Sequence, residues 1–351
     1  MGTVGLPARY GGFETLAEQL ILAAEQRGIA HRFTVWCSAP QSGPHRPPTF
    51  HGATLRYLPL KANGAQSIPY DVASLWQAAR SGHRTALLLG VSGAIALPAL
   101  RAIRQMRIIT HVDGIEWQRP KWGRAARAFL HRSEASAARW SHSVIADNPM
   151  IARHIRDSYG RDPVNIAYGH EHARAAPAAR IDDLHLPARY ALALARAEPE
   201  NNLIPILDAF TDAPLPLVMV ANWNDTPHGR VVLARYANHP NLYLLGAEYD
   251  PARLRAIRDR AVIYLHGHGA GGTNPGLVEM MGFGVPIAAW DCGFNRATTH
   301  DAAAYFDSAA SLRASIPALC VSPMGAHLRS LATTHYCWRD VTDAYFRLLG
   351  V

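Results

Sequence analysis

The 351-residue chain lacks several features that would place it in common protein classes. No apolar run approaches the roughly 20 residues that a membrane-spanning helix requires. The four cysteines are scattered without a C-x-x-C pair, and neither a zinc-finger nor an RNA-recognition signature is present. We therefore expect reduced thiols, no transmembrane segment and no nucleic-acid partner.

A metal site and a dinucleotide site are also not expected. The chain contains 18 histidines, but His170-x-His172 and His266-x-His268 each lack a third and a fourth ligand at metal spacing. No G-x-G-x-x-G motif follows a predicted strand, which argues against a Rossmann dehydrogenase. The sequence thus predicts no metal and no cofactor.

Negative charge is scarce relative to positive charge. Lysine and arginine number 35 against 27 aspartates and glutamates, which gives a formal net charge of +8. This balance favours anionic partners such as nucleotides, diphosphates or a phospholipid surface. No secretory signal is visible at the start of the chain, so we expect a cytoplasmic location.

Short apolar runs alternate with helical patterns along the whole chain. Runs at 85–90 and 107–112, and again at 190–195 and 217–221, predict buried parallel strands. This alternation predicts an α/β fold with two Rossmann-like, doubly wound domains. The predicted segments are an N-terminal domain at 1–170, a polar linker at 171–187, a C-terminal domain at 188–325 and a helical tail at 326–351.

The most informative stretch is residues 264–296. A predicted strand ends there in a loop dense in glycine and histidine, which leads into a helix starting near residue 276. Thr273 or Asn274 can cap this helix, and a glycine-rich loop at a helix N-terminus offers N–H groups to an anion. Glu279 lies one turn into the helix, where a carboxylate can accept hydrogen bonds from ribose hydroxyls. The alternative is a βαβ unit with a glycine-rich turn and no ligand.

Two acidic residues follow the strand predicted at 107–112. Ligands of open α/β sheets sit beyond the carboxyl ends of the strands, so Asp113 and Glu116 are candidates for chemistry. Alternatively, Asp113 caps the turn that continues through Gly114, a common role for aspartate before glycine.

Residues 119–140 are basic and rich in aromatic side chains. Six cationic residues accompany a single acid, Glu134, and three further aromatic residues are interleaved with them. This composition fits an amphipathic surface that contacts anionic lipid and a lipid-linked diphosphate. The alternative is a solvated helix face with its aromatic residues in the core.

Taken together, these sequence stretches resemble those of retaining GT-B glycosyltransferases. Within that family they resemble a rhamnosyltransferase-like subgroup that acts in bacterial polysaccharide biosynthesis. The resemblance rests on His-Gly-His at 266–268, Gly-Gly-Thr-Asn-Pro at 271–275, Glu279, and Phe-Asn-Arg at 294–296. It extends over nearly the whole chain, to about residue 306. The family usually carries two glutamates eight positions apart. Glu279 fits the second, and the position of the first holds glycine.

The first residues resemble the loop that follows the first strand of this subgroup, while the strand itself is absent. We expect either a start codon assigned too late or a truncated chain, with reduced stability or a borrowed strand. The resemblance implies that Gly11 and Gly12 approach the donor diphosphate closely.

The resemblance implies that the C-terminal domain binds the donor and that the tail crosses back to the first domain. In the family an arginine and a lysine clamp the diphosphate. Arg196 matches the arginine, and Asn201 stands at the lysine position. A salt bridge from Arg196 to Glu198 or Glu200 is the alternative. The implied donor-binding residues are Gly11, Gly12, Asn201, Asn222, Tyr249 (stacking on the base), His266, His268, Gly272, Thr273, Asn274, Gly276, Leu277 and Glu279.

The implied catalytic residues are Asp113 and Arg196. Asp113 would orient the acceptor hydroxyl or take its proton, with Glu116, Arg119 and Lys121 on the acceptor side. No metal is needed if Arg196 and the N–H groups near Gly276 and Leu277 stabilise the leaving diphosphate.

The implied reaction transfers L-rhamnose from dTDP-rhamnose, with retention, onto a lipid-linked saccharide at the inner face of the cell membrane. A GT-B epimerase or phosphorylase would use the same fold. A phosphorylase would need a lysine in the C-terminal domain, yet the only two lysines, Lys61 and Lys121, lie in the first half. The remaining alternative is a degenerate, non-catalytic homologue that binds a nucleotide sugar or a partner transferase.

Overall fold

The structure of the protein is a computed structural model that describes residues 1–8, 11–119 and 122–351. The chain divides into two compact units. The first comprises Met1–Ala167 and Trp338–Val351, and the second comprises Tyr168–Cys337. The segment 171–187, predicted as a linker, therefore belongs to the second unit. No helix within these ranges is long and apolar enough to cross a membrane.

The first unit contains parallel strands separated by helices. Its elements up to residue 167 are α1 (Gly12–Gln26), β1 (Thr34–Ser38), β2 (Thr49–Phe50), β3 (Ala53–Leu58), α2 (Ser67–Arg80), β4 (Thr85–Leu89), α3 (Leu97–Ile103), β5 (Arg107–Val112), α4 (Arg124–Trp140), β6 (Ser143–Ala146), α5 (Pro149–Tyr159) and β7 (Val164–Asn165). These strands form two separate sheets, with orders β1-β3-β2 and β4-β5-β6-β7. All pairs are parallel except β2 with β3.

The second unit contains one continuous sheet. Its elements are β8 (Tyr190–Leu194), α6 (Leu203–Phe210), β9 (Leu217–Val220), α7 (Pro227–Tyr236), β10 (Leu242–Leu245), α8 (Pro251–Asp259), β11 (Ala261–His266), α9 (Pro275–Phe283), β12 (Ile287–Trp290), α10 (Gly293–Thr299), β13 (Ala304–Phe306), α11 (Ala309–Leu319) and α12 (Met324–His335). The six strands are parallel and follow the order β10-β9-β8-β11-β12-β13.

This strand order is that of a doubly wound sheet. The chain moves outward from β8 to β10 and then returns to place β11 on the other side of β8. The order reverses between β8 and β11, and ligands of such sheets bind beyond the carboxyl ends of the strands at this switch point. The predicted α/β class with parallel, doubly wound sheets is confirmed.

The C-terminal tail is two helices rather than one. After α12 the chain continues into α13 (Trp338–Leu349), which belongs to the first unit. There the Tyr345 hydroxyl lies 2.7 Å from Nδ1 of His111, which is fully buried on β5. An ion pair between Arg27 and Asp343 joins α1 to α13. The helix α13 is therefore an integral part of the first unit.

Candidate functional site

The loops that follow β8 and β11 lie side by side at the switch point of the second unit. The Gly269 amide donates to the carbonyl oxygen of Glu200 at 2.9 Å, and the Asn202 side-chain amide donates to the carbonyl oxygen of Gly267 at 2.9 Å. A Cβ atom placed on Gly267 would lie 2.1 Å from the carbonyl oxygen of Asn201. This close approach requires glycine at position 267.

The loop after β8 presents Arg196 at the carboxyl end of the strand. Its side chain is exposed and forms no ion pair with any residue in the described ranges, so the alternative salt bridge to Glu198 or Glu200 is not observed. The side chains of Asn201 and Asn222 hold this loop instead of facing outward. The Asn201 amide donates to the Arg196 carbonyl at 2.8 Å, and Asn222 Oδ1 accepts from the Ala197 amide at 2.8 Å.

The loop after β11 ends in a capped helix, as the sequence predicts. Asn274 Oδ1 accepts a hydrogen bond from the Gly276 amide at 2.9 Å, and Pro275 occupies the first turn of α9. The Leu277 amide donates to the Asn274 carbonyl at 3.1 Å. The two amides predicted to bind a diphosphate, on Gly276 and Leu277, are thus already satisfied by the cap.

The backbone conformation at position 271 favours glycine. Gly271 adopts a φ of +123°, a backbone region that residues with a Cβ rarely enter. A glutamate in this backbone conformation would be strained. The neighbouring Gly272 is half-buried, and Thr273 is buried, with its hydroxyl 3.5 Å from that of Thr298 on α10.

The two histidines of this loop stack on each other. The rings of His266 and His268 have centroids 4.4 Å apart and lie 16° from parallel. His266 is fully buried, and burial lowers its pKa to about 3, so the ring is neutral. The Asn295 side-chain amide donates to the His268 carbonyl at 2.9 Å and to the Trp290 carbonyl at 2.8 Å. Asn295 on α10 thus anchors the loop, a role that sequence analysis did not assign.

Glu279 on α9 is a buried, ionised carboxylate. It forms an ion pair with Arg258 of α8, and its Oε1 lies 3.1 Å from Nε2 of His172. Burial alone would raise the pKa of Glu279, but the charge of Arg258 and the hydrogen bond from His172 outweigh burial and lower this pKa to about 2. Neither partner is predicted from the sequence, because both lie far from Glu279 along the chain.

Three arginines lie around Phe283 at the end of the same helix. The guanidinium carbons of Arg174, Arg255 and Arg258 lie 5.4, 5.4 and 6.0 Å from the centre of the Phe283 ring. Burial, followed by the charges of Arg329 and Arg255, lowers the pKa of Arg174. The end of α9 is therefore surrounded by cations, of which Arg258 pairs with Glu279.

Tyr249 lies in the loop that follows β10. Its side chain is 55% exposed, which leaves the ring accessible for stacking. Glu248 shapes this loop by accepting hydrogen bonds from the Tyr249 and Asp250 amides, both at 3.0 Å, and from the Arg253 guanidinium.

The predicted residues of the first unit lie on two loops. Asp113 is half-buried directly after β5. Glu116 pairs with Arg119 at 2.6 Å and accepts from the Trp122 indole at 3.0 Å. Lys121 lies outside the described residues. Gly11 is the N-cap of α1 and Gly12 its first residue, and the buried Glu14 accepts from the Val4 amide at 2.6 Å, which holds the preceding loop.

Comparison with known proteins locates this chain among structures of one architecture. A family described as a domain of unknown function (DUF1972) matches residues 1–171. No curated protein matches the sequence. The structure is similar to a sucrose-phosphate synthase from Thermosynechococcus elongatus, with 15% identity and a TM-score of 0.79, covering 97% of this chain and 95% of that chain.

It is also similar to HepE from Anabaena, solved in complex with UDP-glucose, with 14% identity and a TM-score of 0.71, covering 98% of both chains. For TarM the identity is 10% and the TM-score 0.61, covering 82% of this chain and 59% of that chain. These likenesses confirm the fold as GT-B, with two Rossmann-like domains.

Proposed function

We propose that the chain is a sugar-nucleotide-dependent glycosyltransferase that binds its donor at the carboxyl edge of the sheet in the second unit. The observation that carries this proposal is the arrangement at the switch point, where the exposed Arg196 and the buried, ionised Glu279 follow neighbouring strands. The solved complex of HepE with UDP-glucose supports a nucleotide sugar as the ligand class.

In this proposal Glu279 accepts hydrogen bonds from the ribose hydroxyls. The ion pair with Arg258 and the bond from His172 keep the carboxylate ionised, so it remains an acceptor across the physiological pH range. Charge-assisted hydrogen bonds of this kind are about twice as strong as neutral ones.

Arg196 contacts the donor diphosphate. Its planar fork of N–H groups suits bidentate contact with phosphate oxygens, and its side chain is not committed to an ion pair with any described residue. The anomeric carbon–oxygen bond to the diphosphate breaks during transfer, and Arg196 stabilises the negative charge that develops on the leaving oxygen. Asp113 orients the acceptor hydroxyl and takes its proton as the hydroxyl oxygen forms the new glycosidic bond with retained configuration.

The proposed donor is dTDP-rhamnose, on the strength of the motif between residues 266 and 296. Titration calorimetry of the purified chain with dTDP-rhamnose, UDP-glucose and GDP-mannose tests whether the chain binds a nucleotide sugar and which one it prefers. Preferential binding of dTDP-rhamnose supports the sugar assignment. Preferential binding of another nucleotide sugar would overturn the rhamnose assignment but would still support a glycosyltransferase. A folded sample that binds none of the three would contradict the proposed function and favour the degenerate homologue.

Arg196→Ala is expected to weaken donor binding by about 10-fold to 100-fold, since one charge-assisted contact contributes roughly 1.5–3 kcal/mol. Arg196→Lys should recover part of this loss, because lysine keeps the charge without the bidentate fork. Arg189→Ala is the matched control. It removes an exposed arginine that immediately precedes β8, at the opposite end of the same strand, and should leave the affinity unchanged. Equal losses for the two alanine variants would contradict a specific role for Arg196.

The proposed acceptor is a lipid-linked saccharide, and α4 supplies the membrane contact. Arg124, Arg127 and Arg132 are exposed, whereas the acid of this helix, Glu134, is fully buried and accepts from the Trp117 indole and the Tyr159 hydroxyl. The exposed face of α4 is therefore cationic, which fits an anionic lipid surface.

Replacing Arg124, Arg127 and Arg132 together by glutamine is expected to weaken binding to phosphatidylserine-containing vesicles by about 100-fold at physiological salt. Each basic residue near the surface contributes about 1 kcal/mol. Vesicle co-sedimentation measures this effect. A control variant removes the same number of exposed arginines at Arg156, Arg180 and Arg235. Equal losses in the two variants would indicate non-specific attraction and would contradict the assignment to α4.

A further inference from the structure

The amino ends of the strands in the sheet β4-β5-β6-β7 carry a cluster of positive charge. The sequence has no aspartate or glutamate between Asp71 and Asp113, although this span contains five arginines. Further arginines join the cluster from the segments that lead into β6 and β7. We call the cluster the basic edge, and it consists of Arg84, Arg101, Arg104, Arg107, Arg139 and Arg161.

The ends of β4 and β5 bring three of these arginines together. Arg84 immediately precedes β4 and Arg107 is the first residue of β5, and the Arg107 amide donates to the Arg84 carbonyl at 2.8 Å. Arg104 is the C-cap of α3, three residues before Arg107. All three side chains are exposed, so neighbouring strand ends present their arginines side by side to solvent.

Side-chain contacts to carbonyl oxygens extend the basic edge towards β6 and β7. The Arg101 guanidinium donates to the Trp140 carbonyl at 3.0 Å, which joins the ends of α3 and α4. The guanidinium carbon of Arg139 lies 5.6 Å from the centre of the Trp140 ring. The Arg161 guanidinium, shortly before β7, donates to the Ser141 carbonyl at 3.2 Å. The cluster therefore spans the amino ends of the whole sheet.

The charge of the basic edge is not neutralised by the protein itself. Across residues 1–8, 11–119 and 122–351, no acidic side chain forms an ion pair with these arginines, and the adjacent Asp162 pairs instead with Arg156 at 2.8 Å. Burial, followed by the charges of Arg101 and Arg107, lowers the pKa of His142, which precedes β6. A bound anion would relieve the repulsion among these cations.

Exposed apolar side chains flank the arginines. Ile103 at the end of α3 is 60% exposed, and Val164 at the start of β7 is 40% exposed. Arginine is enriched at protein interfaces, where apolar side chains supply anchors. A surface that enters a bilayer typically presents tryptophan, phenylalanine or leucine, and none of these is exposed among the described residues of this edge. The composition therefore favours a protein partner over a lipid surface.

We propose that the basic edge docks a short, extended, acidic segment of a partner protein, with carboxylates on the arginines and an apolar side chain on Ile103. The planar guanidinium group matches a carboxylate through two parallel hydrogen bonds. Four strands spaced by about 4.8 Å give an edge of about 15 Å, which is the length of about five extended residues. A contact of this size suits a linear segment and not a large globular interface.

This docking surface and the proposed transferase site use different residues. Asp113 follows the carboxyl end of β5, whereas Arg107 begins the same strand at its amino end. A partner bound at the basic edge would therefore hold the protein without contacting the residues proposed for the reaction. Loss of docking and loss of donor binding are separate measurements.

The test measures fluorescence anisotropy of two labelled synthetic peptides of ten residues at physiological salt. The first consists of glutamate and aspartate with leucine at its fourth and seventh positions, and the second has serine in place of both leucines. They are titrated with the full chain and with two variants. One variant combines Arg101→Gln, Arg104→Gln and Arg107→Gln, and the other carries Ile103→Ser.

The triple variant is expected to bind the leucine peptide about 30-fold more weakly than the parent chain, since three ion pairs are lost. Ile103→Ser should weaken binding of the leucine peptide by about fivefold and leave that of the serine peptide unchanged. A control that combines Arg153→Gln, Arg189→Gln and Arg347→Gln removes three exposed arginines elsewhere and should change either affinity by less than twofold.

Four results would overturn the proposal. The parent chain could fail to bind the leucine peptide. The control variant could lose as much affinity as the triple variant, which would indicate non-specific attraction. The two peptides could bind equally with Ile103→Ser without effect, which would leave charge alone. Finally, the triple variant could lose binding to phosphatidylserine vesicles while it keeps the leucine peptide, which would assign the basic edge to a lipid surface.

Discussion

Glu279→Ala is expected to lower the free energy of unfolding by about 3–5 kcal/mol and to abolish measurable donor binding. Removal of the carboxylate leaves the guanidinium of Arg258, which is 8% exposed, buried without its counter-ion. Breaking a buried pair from one side costs this much because the remaining charge stays desolvated. Urea denaturation followed by circular dichroism measures the loss. Asp182→Asn is the control, since it breaks an exposed pair with Arg180 and should change stability by less than about 1 kcal/mol.

A double variant separates the structural role of Glu279 from its proposed contact with ribose. Combining Glu279→Gln with Arg258→Met removes both charges, so most of the lost stability should return. Donor binding should remain lost, because the acceptor carboxylate is gone. A stable double variant that binds the donor as tightly as the parent chain would contradict a direct contact between Glu279 and ribose.

The ionisation of Glu279 also makes the stability of the fold depend on pH in the acid range. The pKa of Glu279 is lowered to about 2 in the folded chain from an ordinary value of 4.5. Its ionised form therefore stabilises the fold fully above pH 4.5, and this contribution is lost as the pH falls towards 2. The Glu279→Gln variant should show a shallower decline in stability over this range than the parent chain.

Gly267→Ala is expected to destabilise the second unit by about 2–4 kcal/mol and to weaken donor binding as well. The added methyl would lie 2.1 Å from the carbonyl oxygen of Asn201 and 2.9 Å from Cδ1 of Ile206. The first contact is with backbone, which cannot rotate away, so the loops after β8 and β11 must separate. This separation would displace Arg196. Thermal melting and donor titration measure the two effects.

Gly246→Ala provides the matched control for this substitution. Gly246 follows β10 at the same edge of the sheet, its backbone is outside the left-handed region, and an added Cβ would meet nothing within 4 Å. It should leave stability within about 0.5 kcal/mol of the parent chain. If the two alanine variants melted alike, the close approach of the loops at Gly267 would not be a determinant of stability.

The parts of the site that depend on neighbouring residues could be predicted from the sequence. The cap of α9 follows from Asn274 and Pro275, because N-cap and first-turn preferences act over one helical turn. The parallel strands follow from short apolar runs, because burial on both faces requires them. The sequence predicts a glycine-dense loop here. The atom that requires glycine at position 267, the carbonyl oxygen of Asn201, is known only from the structure.

The parts that depend on distant residues could not be predicted. Arg258 precedes Glu279 by 21 residues, and His172 lies in a segment predicted as a linker. No local pattern brings these side chains together, since their meeting depends on how α8 and α9 pack. The break between α12 and α13 was also missed, because neither glycine nor proline marks the sequence at 336–337. The Gly276 and Leu277 amides, which the resemblance assigns to the diphosphate, both donate to Asn274 in the structure.

Because α13 belongs to the first unit, it determines the order in which the two units can complete folding on the ribosome. The second unit is one uninterrupted segment that ends at Cys337, so all its strands have emerged before α13 is synthesised. The first unit must wait for Tyr345, which reaches His111 across 234 residues of sequence. Domains that emerge first usually fold first during synthesis. In this chain the first unit is the last to complete its core, although most of it is synthesised first.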